Sequence, residues 1–432
     1  MSEIRAIADS FDAILKAKNA EKYTYTLTQS EKQELNIESG SFKLMRTVFN
    51  NSGTLKVFSG TKMGNVRGND ITEEGLAKLA EDGLAAAESA EEDPCHDIAP
   101  DQGKDVFRQG ILEPDMDRFF ERTKEFLETV KKEYPKINIM MAMASFDRWH
   151  WISRTTNGTE FEGFGGQYGF GLEFSAIDGE LTTGMNGCGF TMKDLDTPFI
   201  DMCDVRQQLE DTQNSLRTKS VEGKFEGTVV MTPVCVTDFL YMLAGNYMDS
   251  SVIINGTSQW LDKVGEKVAD EKLTVALNPF DERIIIGERG TQDGFRSENV
   301  TLIDHGVLKA HMLNLYASNK TGRPMIKNTS SNLVVVAGEK SFAELIASVD
   351  RGLLMGGFSG GQPGANGEFS GVAKNSFLIE NGKITEAVME TMVNGNLGDI
   401  FANIRGISKE QLCDGSTVVP YIAFDGIVIS GK

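Results

Sequence analysis

Apolar and polar positions over the first 220 residues follow one pattern twice. Ile4, Ile7, Phe11, Ile14 and Leu15 recur at helical spacing behind a candidate cap, Ser2. Tyr23, Tyr25 and Leu27, then Leu35 and Ile37, alternate as half-buried strands do. Asn50-Asn51-Ser52-Gly53 predicts a turn, and Thr72 opens a second helix with Leu76, Leu79 and Leu84 on one face. It ends at Glu91-Glu92-Asp93-Pro94, and a Gly/Pro/Asp-rich connector runs to about Pro114. Asp115 then caps a helix with Met116, Phe119, Phe120, Phe126, Leu127, Val130 and Tyr134 inward, stopped by Pro135. Ile137, Ile139, Met141 and Met143 alternate again, and Thr156-Asn157-Gly158 predicts a second turn. Asp178-Gly179 predicts a two-residue hairpin, and 201–216 a closing helix. Helix, antiparallel strands, helix, repeated once, predicts an α+β fold and not a parallel βαβ array. The N-terminal domain is accordingly placed at 1–220, with duplicated parts at about 1–93 and 115–217.

The pattern changes after Val221. Residues 225–231 read as a strand, and Thr232-Pro233 starts a helix, since proline suits the first helical position. That helix, 234–243, is apolar on almost every side, which predicts a core helix; Thr237 and Asp238 are its polar exceptions. Ile303-Asp304-His305-Gly306, Glu380-Asn381-Gly382 and Phe424-Asp425-Gly426 read as turns between short strands, and 342–349 as one more helix. The expectation is a β-rich domain over 221–432, a curved sheet or partial barrel built around that helix at 342–349, buried, with Gly356 to Gly364 as a flexible loop.

Composition narrows the partners. Lys and Arg number 43 against 63 Asp and Glu, a net charge of −20 that repels phosphate backbones and argues against direct nucleic-acid binding. No apolar run nears the ~20 residues of a membrane helix, and the N-terminus has no signal-peptide stretch. Cys95, Cys188, Cys203, Cys235 and Cys413 are too few and scattered for a disulfide framework, so a cytoplasmic setting is expected.

Four histidines, His96, His150, His305 and His311, include no pair at the spacing of a zinc-peptidase helix, which disfavours a self-contained zinc site. His305 reads as a turn residue and His150, between Trp149 and Trp151, as a sheet-surface residue. Gly356 to Gly364 lacks the Lys-Ser/Thr of a phosphate loop, and Gly163-Phe164-Gly165-Gly166 reads as a bulge or bend. Cys413 is a candidate nucleophile, but a thiolate needs a base or cation beside it, and Asp414 works the other way. Cys235 reads as core. Asp238 has several readings: it faces a cavity, hydrogen-bonds a neighbouring backbone amide, falls on the helix's one wet side, or is a catalytic carboxylate.

Several segments, in order, resemble the TldD/PmbA (TldD/TldE) family, once called modulators of DNA gyrase. They are Gln33 to Gly40, the Ala-rich Leu76 to Ala87, Phe377 to Ile384 with Val393-Asn394-Gly395-Asn396-Leu397, and Gly415 to Pro420 with Phe424-Asp425-Gly426. The resemblance covers roughly Tyr23 to the C-terminus. It implies a peptidase for peptides or unfolded proteins that works as a heterodimer of a TldD-type and a TldE/PmbA-type subunit. The TldD type binds zinc through HExxxH and a C-terminal cysteine, with the glutamate as base. Here Thr237 and Asp238 stand near the His-Glu positions, and Cys413 matches the cysteine by position. One thiolate cannot hold zinc alone. The resemblance therefore implies a PmbA/TldE-type subunit without a cofactor of its own, zinc being expected in a TldD-type paralogue; a homodimer stays open for the case where that partner is missing. Two other readings stay open: a stand-alone protein that binds peptides on a sheet edge, and a cysteine hydrolase using Cys413.

Overall fold

The computed structural model describes residues 4–431, so the candidate cap Ser2 lies outside the described residues. The chain is α+β and is organised by two sheets. The first contains β1 (Lys22–Glu38), β2 (Ser41–Ser59), β3 (Lys62–Gly68), β4 (Lys104–Gly110), β5 (Ile137–Thr155), β6 (Glu160–Asp178), β7 (Leu181–Thr182) and β8 (Asn186–Met192). Its order is β3-β2-β1-β5-β6-β4, with β7 and β8 also paired to β6. At its centre β1 and β5 run antiparallel from Thr24 opposite Thr155 to Glu38 opposite Met141.

Helices cover one face of this sheet. α1 (Ile4–Ala17) and α2 (Glu73–Ser89) pack Phe11, Leu15, Leu76 and Leu79 on Tyr25, Leu27, Leu55 and Ile152. α3 (Met116–Glu133) and α4 (Val205–Asn214) pack Phe119, Phe126, Val130 and Leu209 on Leu35, Ile37, Ala144, Phe146 and Phe170. The starts follow the capping rule: Thr72 Oγ1 accepts Gly75 N–H at 3.2 Å and Asp115 Oδ1 accepts Arg118 N–H at 3.0 Å, each worth about 1 kcal/mol.

The second sheet has fourteen strands, and Val418–Ser430 is its spine. That strand pairs antiparallel with Lys224–Met231, Met392–Asn396 and Ile404–Cys413, and parallel with Leu333–Val335. α5 (Pro233–Tyr247) lies in the largest core, with Val236, Phe239, Leu240 and Leu243 among Val229, Ile422, Phe424 and Ile427. This corrects the expectation: α5, and not the helix at 342–349, is the central helix of this half, because its longer apolar face fills the largest core. Residues 342–349 give the six-residue helix Phe342–Ala347, which serves a smaller cluster through Leu345 and Ile346.

Several local expectations are corrected. Asn50 to Gly53 is not a turn but mid-β2, where a Cβ on Gly53 would stand 3.2 Å from Leu27 and from Leu79; close packing, not reversal, requires this glycine. Reversal occurs at Ser39-Gly40, both at positive φ. Ile139 is buried, but a bulge between Ile139 and Met141 shifts the phase, so Ala142, Ala144 and Phe146 turn inward and Met141 and Met143 outward. Gly163 and Gly165 sit in regular pairing, not at a bulge, and make room for the rings of Trp151 and Trp149. His150 is buried, not on the sheet surface: its Nε2 is 2.8 Å from Glu162 Oε1 and its ring stacks on Phe164. The connector after α2 hides strand β4, parallel to β6. Gly357–Gly360, expected in a loop, pairs as a strand with Glu368–Lys374. Phe424 to Gly426 lies inside the spine strand, where the register against Lys224–Met231 slips. The closing helix is split: a 3-10 turn, Phe199–Asp201, precedes α4, with Cys203 between them at φ +50°. The turn at Thr156 to Gly158, the hairpin at Asp178-Gly179 and the left-handed His305 are as expected.

The glycine roles are testable. A Cβ at position 163 would lie 2.2 Å from the Trp151 indole, whereas one at position 171 meets nothing within 4 Å. Gly163→Ala is expected to cost about 1–3 kcal/mol in urea unfolding, as overpacking does. Gly171→Ala should stay within about 0.5 kcal/mol of the parent. Equal effects of the two changes would refute this account.

Candidate functional site

α5 buries three of its sides. Its fourth side is a wet stripe at Val234, Asp238, Tyr241 and Gly245, helical spacing that leaves Val234 48 % and Tyr241 43 % exposed. Thus the expectation of a helix buried nearly all round fails on one face. Asp238 occupies that wet side, and burial by the surrounding chain holds its carboxyl above the ordinary range. Thr237 is half-buried and donates its hydroxyl to the Pro233 carbonyl at 2.9 Å, one turn back along its own helix.

The start of α5 opens on a cavity of about 560 Å³. One wall is the helix-free face of the first sheet: Asn36 on β1, Met141 and Met143 on β5, Gly171 and Glu173 on β6, Gly187 and Gly189 on β8. The other wall is Val234, Leu412 and Asp414, with Cys203, Asp204 and Gln208 from the start of α4 at one end. The glycine and methionine positions on this wall have a physical reason: the bulge in β5 turned the methionines to this face, and the glycines of β6 and β8 leave a floor without side chains. A second hollow of about 370 Å³ shares Met143, Gly171, Gly189, Phe190 and Asp414, and extends the groove to Ser145, Asp147 and Ser416. The groove therefore lies between the two sheets, a common place for ligand sites.

Cys413 ends the strand Ile404–Cys413 beside this groove. It is half-buried, and its thiol donates to the Arg283 carbonyl at 3.5 Å. Burial pushes its pKa up, and the Asp414 charge adds to that. Cys203 and Cys188 are each pushed up to about 12, first by burial and then by the Asp204 charge. All three thiols stay protonated at neutral pH, so none is prepared as a nucleophile.

The donor set does not suit zinc. Val234 has no ligand atom, Thr237 is turned away, and among the described residues no three His, Cys, Asp or Glu side chains converge to hold an ion. Of the expected positions none lines the cavity: Val234 at the start of α5 and Leu412 and Asp414 on either side of Cys413 do, while Thr237, Asp238 and Cys413 stand outside its lining. The contributions of Asn36, Met141, Met143, Cys203 and Asp204 escaped the sequence, because they depend on a bulge and on contact between distant halves. The phase slip after Ile139 was the one signal that could have pointed to them.

The chain is thus a cleft protein, its groove lying between a helix-backed sheet and a sheet wrapped on one helix. Residues 223–431 match the PmbA/TldA metallopeptidase C-terminal domain. That half belongs to the PmbA/TldD family, and the chain as a whole is a homologue of PmbA. The metalloprotease PmbA of Escherichia coli O157:H7 is 23 % identical over 88 % of this chain and 87 % of its own length. A metalloprotease of Methanocaldococcus jannaschii is 26 % identical over 207 residues, and the match spans only 44 % of either protein. Among solved structures, TldE from Thermococcus kodakarensis superposes with a TM-score of 0.83 at 17 % identity, over 98 % of this chain and 100 % of that one. A protein from Bacteroides thetaiotaomicron, described as a candidate modulator of DNA gyrase, gives 0.82 at 22 % identity, with 100 % of both chains covered. These likenesses establish the fold. Among the described residues, no helix is long and apolar enough to cross a membrane.

Asp211, on α4, offers a pH test. Burial, then the charges of Glu210 and Asp204, push its pKa up to about 6. An acid with a higher pKa folded than unfolded stabilises the fold below its unfolded value, about 3.9, and loses that contribution as pH rises through the folded value. Asp211→Asn should therefore raise Tm at pH 7 and leave it nearly unchanged at pH 4. A variant whose Tm falls equally at both values would contradict this.

Proposed function

We propose that this chain is the non-catalytic, PmbA/TldE-type subunit of a zinc metallopeptidase, completing a chamber for peptides or unfolded proteins against a TldD-type partner. The observation that carries the reading is the cavity itself. The N-terminus of α5 and the Cys413 turn face one groove, as a working site requires, yet their side chains offer zinc no ligand set. The names of the relatives, metalloprotease PmbA and TldE among them, support the same assignment. In this reading the partner supplies the metal, which would polarise the peptide carbonyl and activate water. This chain supplies walls: an apolar, sulfur-rich face at Met141, Met143 and Leu412, and acidic groups at Glu173, Asp204 and Asp414. Holding a peptide in register lowers the barrier by several kcal/mol in favourable cases. The second reading, a stand-alone peptide binder, draws on the outer edge of β8. Among the described residues β8 pairs only with β6, and at that edge Thr191 N–H is taken by the Asp414 carbonyl at 2.8 Å.

Two measurements test the assignment. Dialysed protein made without a partner should contain far less than one zinc per chain; about one tightly held zinc would overturn the proposal. In the reconstituted pair, Cys413→Ser should keep peptidase turnover within about threefold of normal, roughly 0.7 kcal/mol. The matching change in the partner should nearly abolish it. A well-folded Cys413→Ser that lost a thousandfold would show that this chain owns catalytic chemistry. Native purification in which no HExxxH protein accompanies the chain would favour the stand-alone reading.

A further inference from the structure

We propose that the outer edge of β2 seats a second copy of this chain, the two β2 strands pairing antiparallel across a two-fold axis at Thr47. β1 covers the inner edge of β2 along its length, but β3 covers the outer edge only from Gly53 to Ser59. Ser41 to Ser52 therefore has no strand on its outer side among the described residues. Twelve residues make an open edge about 40 Å long at ~3.4 Å each. Such an edge is a template for pairing unless proline, short length or dense charge blunts it. This one contains no proline and no acid, and its exposed apolar residues are large: Phe42, Leu44, Met45 and Phe49 are 36, 49, 71 and 73 % exposed. Phe42 stacks on Phe120 of α3 with ring centroids 4.8 Å apart, so the apolar surface continues past the end of the strand.

The edge is self-complementary. A two-fold axis perpendicular to a sheet keeps each side chain on its own face, so directly opposed residues must share a face. With the axis at Thr47, Met45 of each copy lies opposite Phe49 of the other, on the face that carries Leu35 and α3. Arg46 then meets Val48, and Lys43 meets Asn51. Arg46 is already paired with Glu34 of its own chain at 2.5 Å. An axis at Arg46 would oppose two guanidinium groups, and an axis at Met45 would set Phe49 against Ser41. Only the Thr47 register among these three unites the two most exposed residues without opposing like charges. The edge is separate from the groove at α5, so this inference does not depend on the proposed peptidase role.

Light scattering after gel filtration, on the full chain alone between 1 and 100 µM, should find a dimer. Met45→Lys/Phe49→Lys should run as a monomer with an unchanged melting temperature. Thr47→Cys treated with a short bis-maleimide should give a covalent dimer joined through position 47, mapped by peptide mass spectrometry against the parent with its five natural cysteines. Arg46→Cys should give far less. A parent that stays monomeric throughout the range, or that pairs only with an HExxxH protein, overturns the proposal. So does a dimer that survives the double substitution, or one that cross-links better through position 46. If the double variant unfolds, the two cysteine variants decide alone.

Discussion

The turn from Cys413 to Ser416 locks the two sheets together, and the groove exists because it does. Thr191 of β8 donates both its backbone N–H and its hydroxyl to the Asp414 carbonyl, at 2.8 and 3.2 Å. The Cys203 thiol donates to the Cys413 carbonyl at 3.3 Å, and Ile285 N–H to that of Gly415 at 2.9 Å. The Asp414 carboxylate turns inward on its own loop and accepts Ser416 and Thr417 N–H at 2.8 and 2.7 Å. Gly415 has φ +87°, and a Cβ there would stand 2.3 Å from Thr191 Oγ1, so only glycine fits. The edge of one sheet cannot slide against the other without stranding these donors, each of which costs more unmade than it contributes when made. The distance between the cavity walls is thus set by hydrogen bonds to main-chain carbonyls, whose positions do not depend on side-chain identity.

Helices were the most legible part of the sequence. Their starts depend on local chemistry, such as Thr72, Asp115 and Thr232-Pro233, and their faces on a period repeated three or four times. Long strands were legible as strands but not in phase. A period of two has no redundancy, so the single bulge after Ile139 moved Met141 and Met143 from the predicted core to the wall of the cavity. Glycine was misread for a related reason. At Gly53, Gly163 and Gly165 it answers to a neighbour far away in sequence, Leu79 or a tryptophan ring, and composition alone cannot separate that duty from a turn. The groove was the least legible, since its walls combine residues as distant in sequence as Asn36 and Asp414.

His150 shows the same limit in electrostatic form. Flanked by tryptophans it resembles a surface residue, yet it belongs to a chain of charges under α1. Glu162 meets His150 and Arg5, Arg5 also meets Glu160, and Glu160 meets Arg154, which reaches Asp9 and Asp12 of α1. Buried ion pairs return little net stability against well-packed apolar residues, because desolvation offsets most of the attraction. They do fix geometry. An apolar α1 could rotate or slide on the sheet and keep most of its contacts, whereas these bridging contacts allow one placement. The network holds the amphipathic first helix over β5 and β6 while Phe11 and Leu15 supply the burial.

The wet stripe of α5 shows why such a scaffold can host a metal site or do without one. Val236, Phe239, Leu240 and Leu243 carry the packing of the helix, and Thr232 with Pro233 sets its start. Val234, Asp238 and Tyr241 contribute little to either, and substitutions at exposed helical positions usually change stability by less than about 0.5 kcal/mol. Ligands can therefore be gained or lost on that stripe with the fold unchanged. The groove, held by the Asp414 carbonyl and the spine strand, keeps its shape in both cases. The assembly proposed above would need two such chains with one geometry and different chemistry, and separating the packing side of α5 from its exposed side is compatible with that.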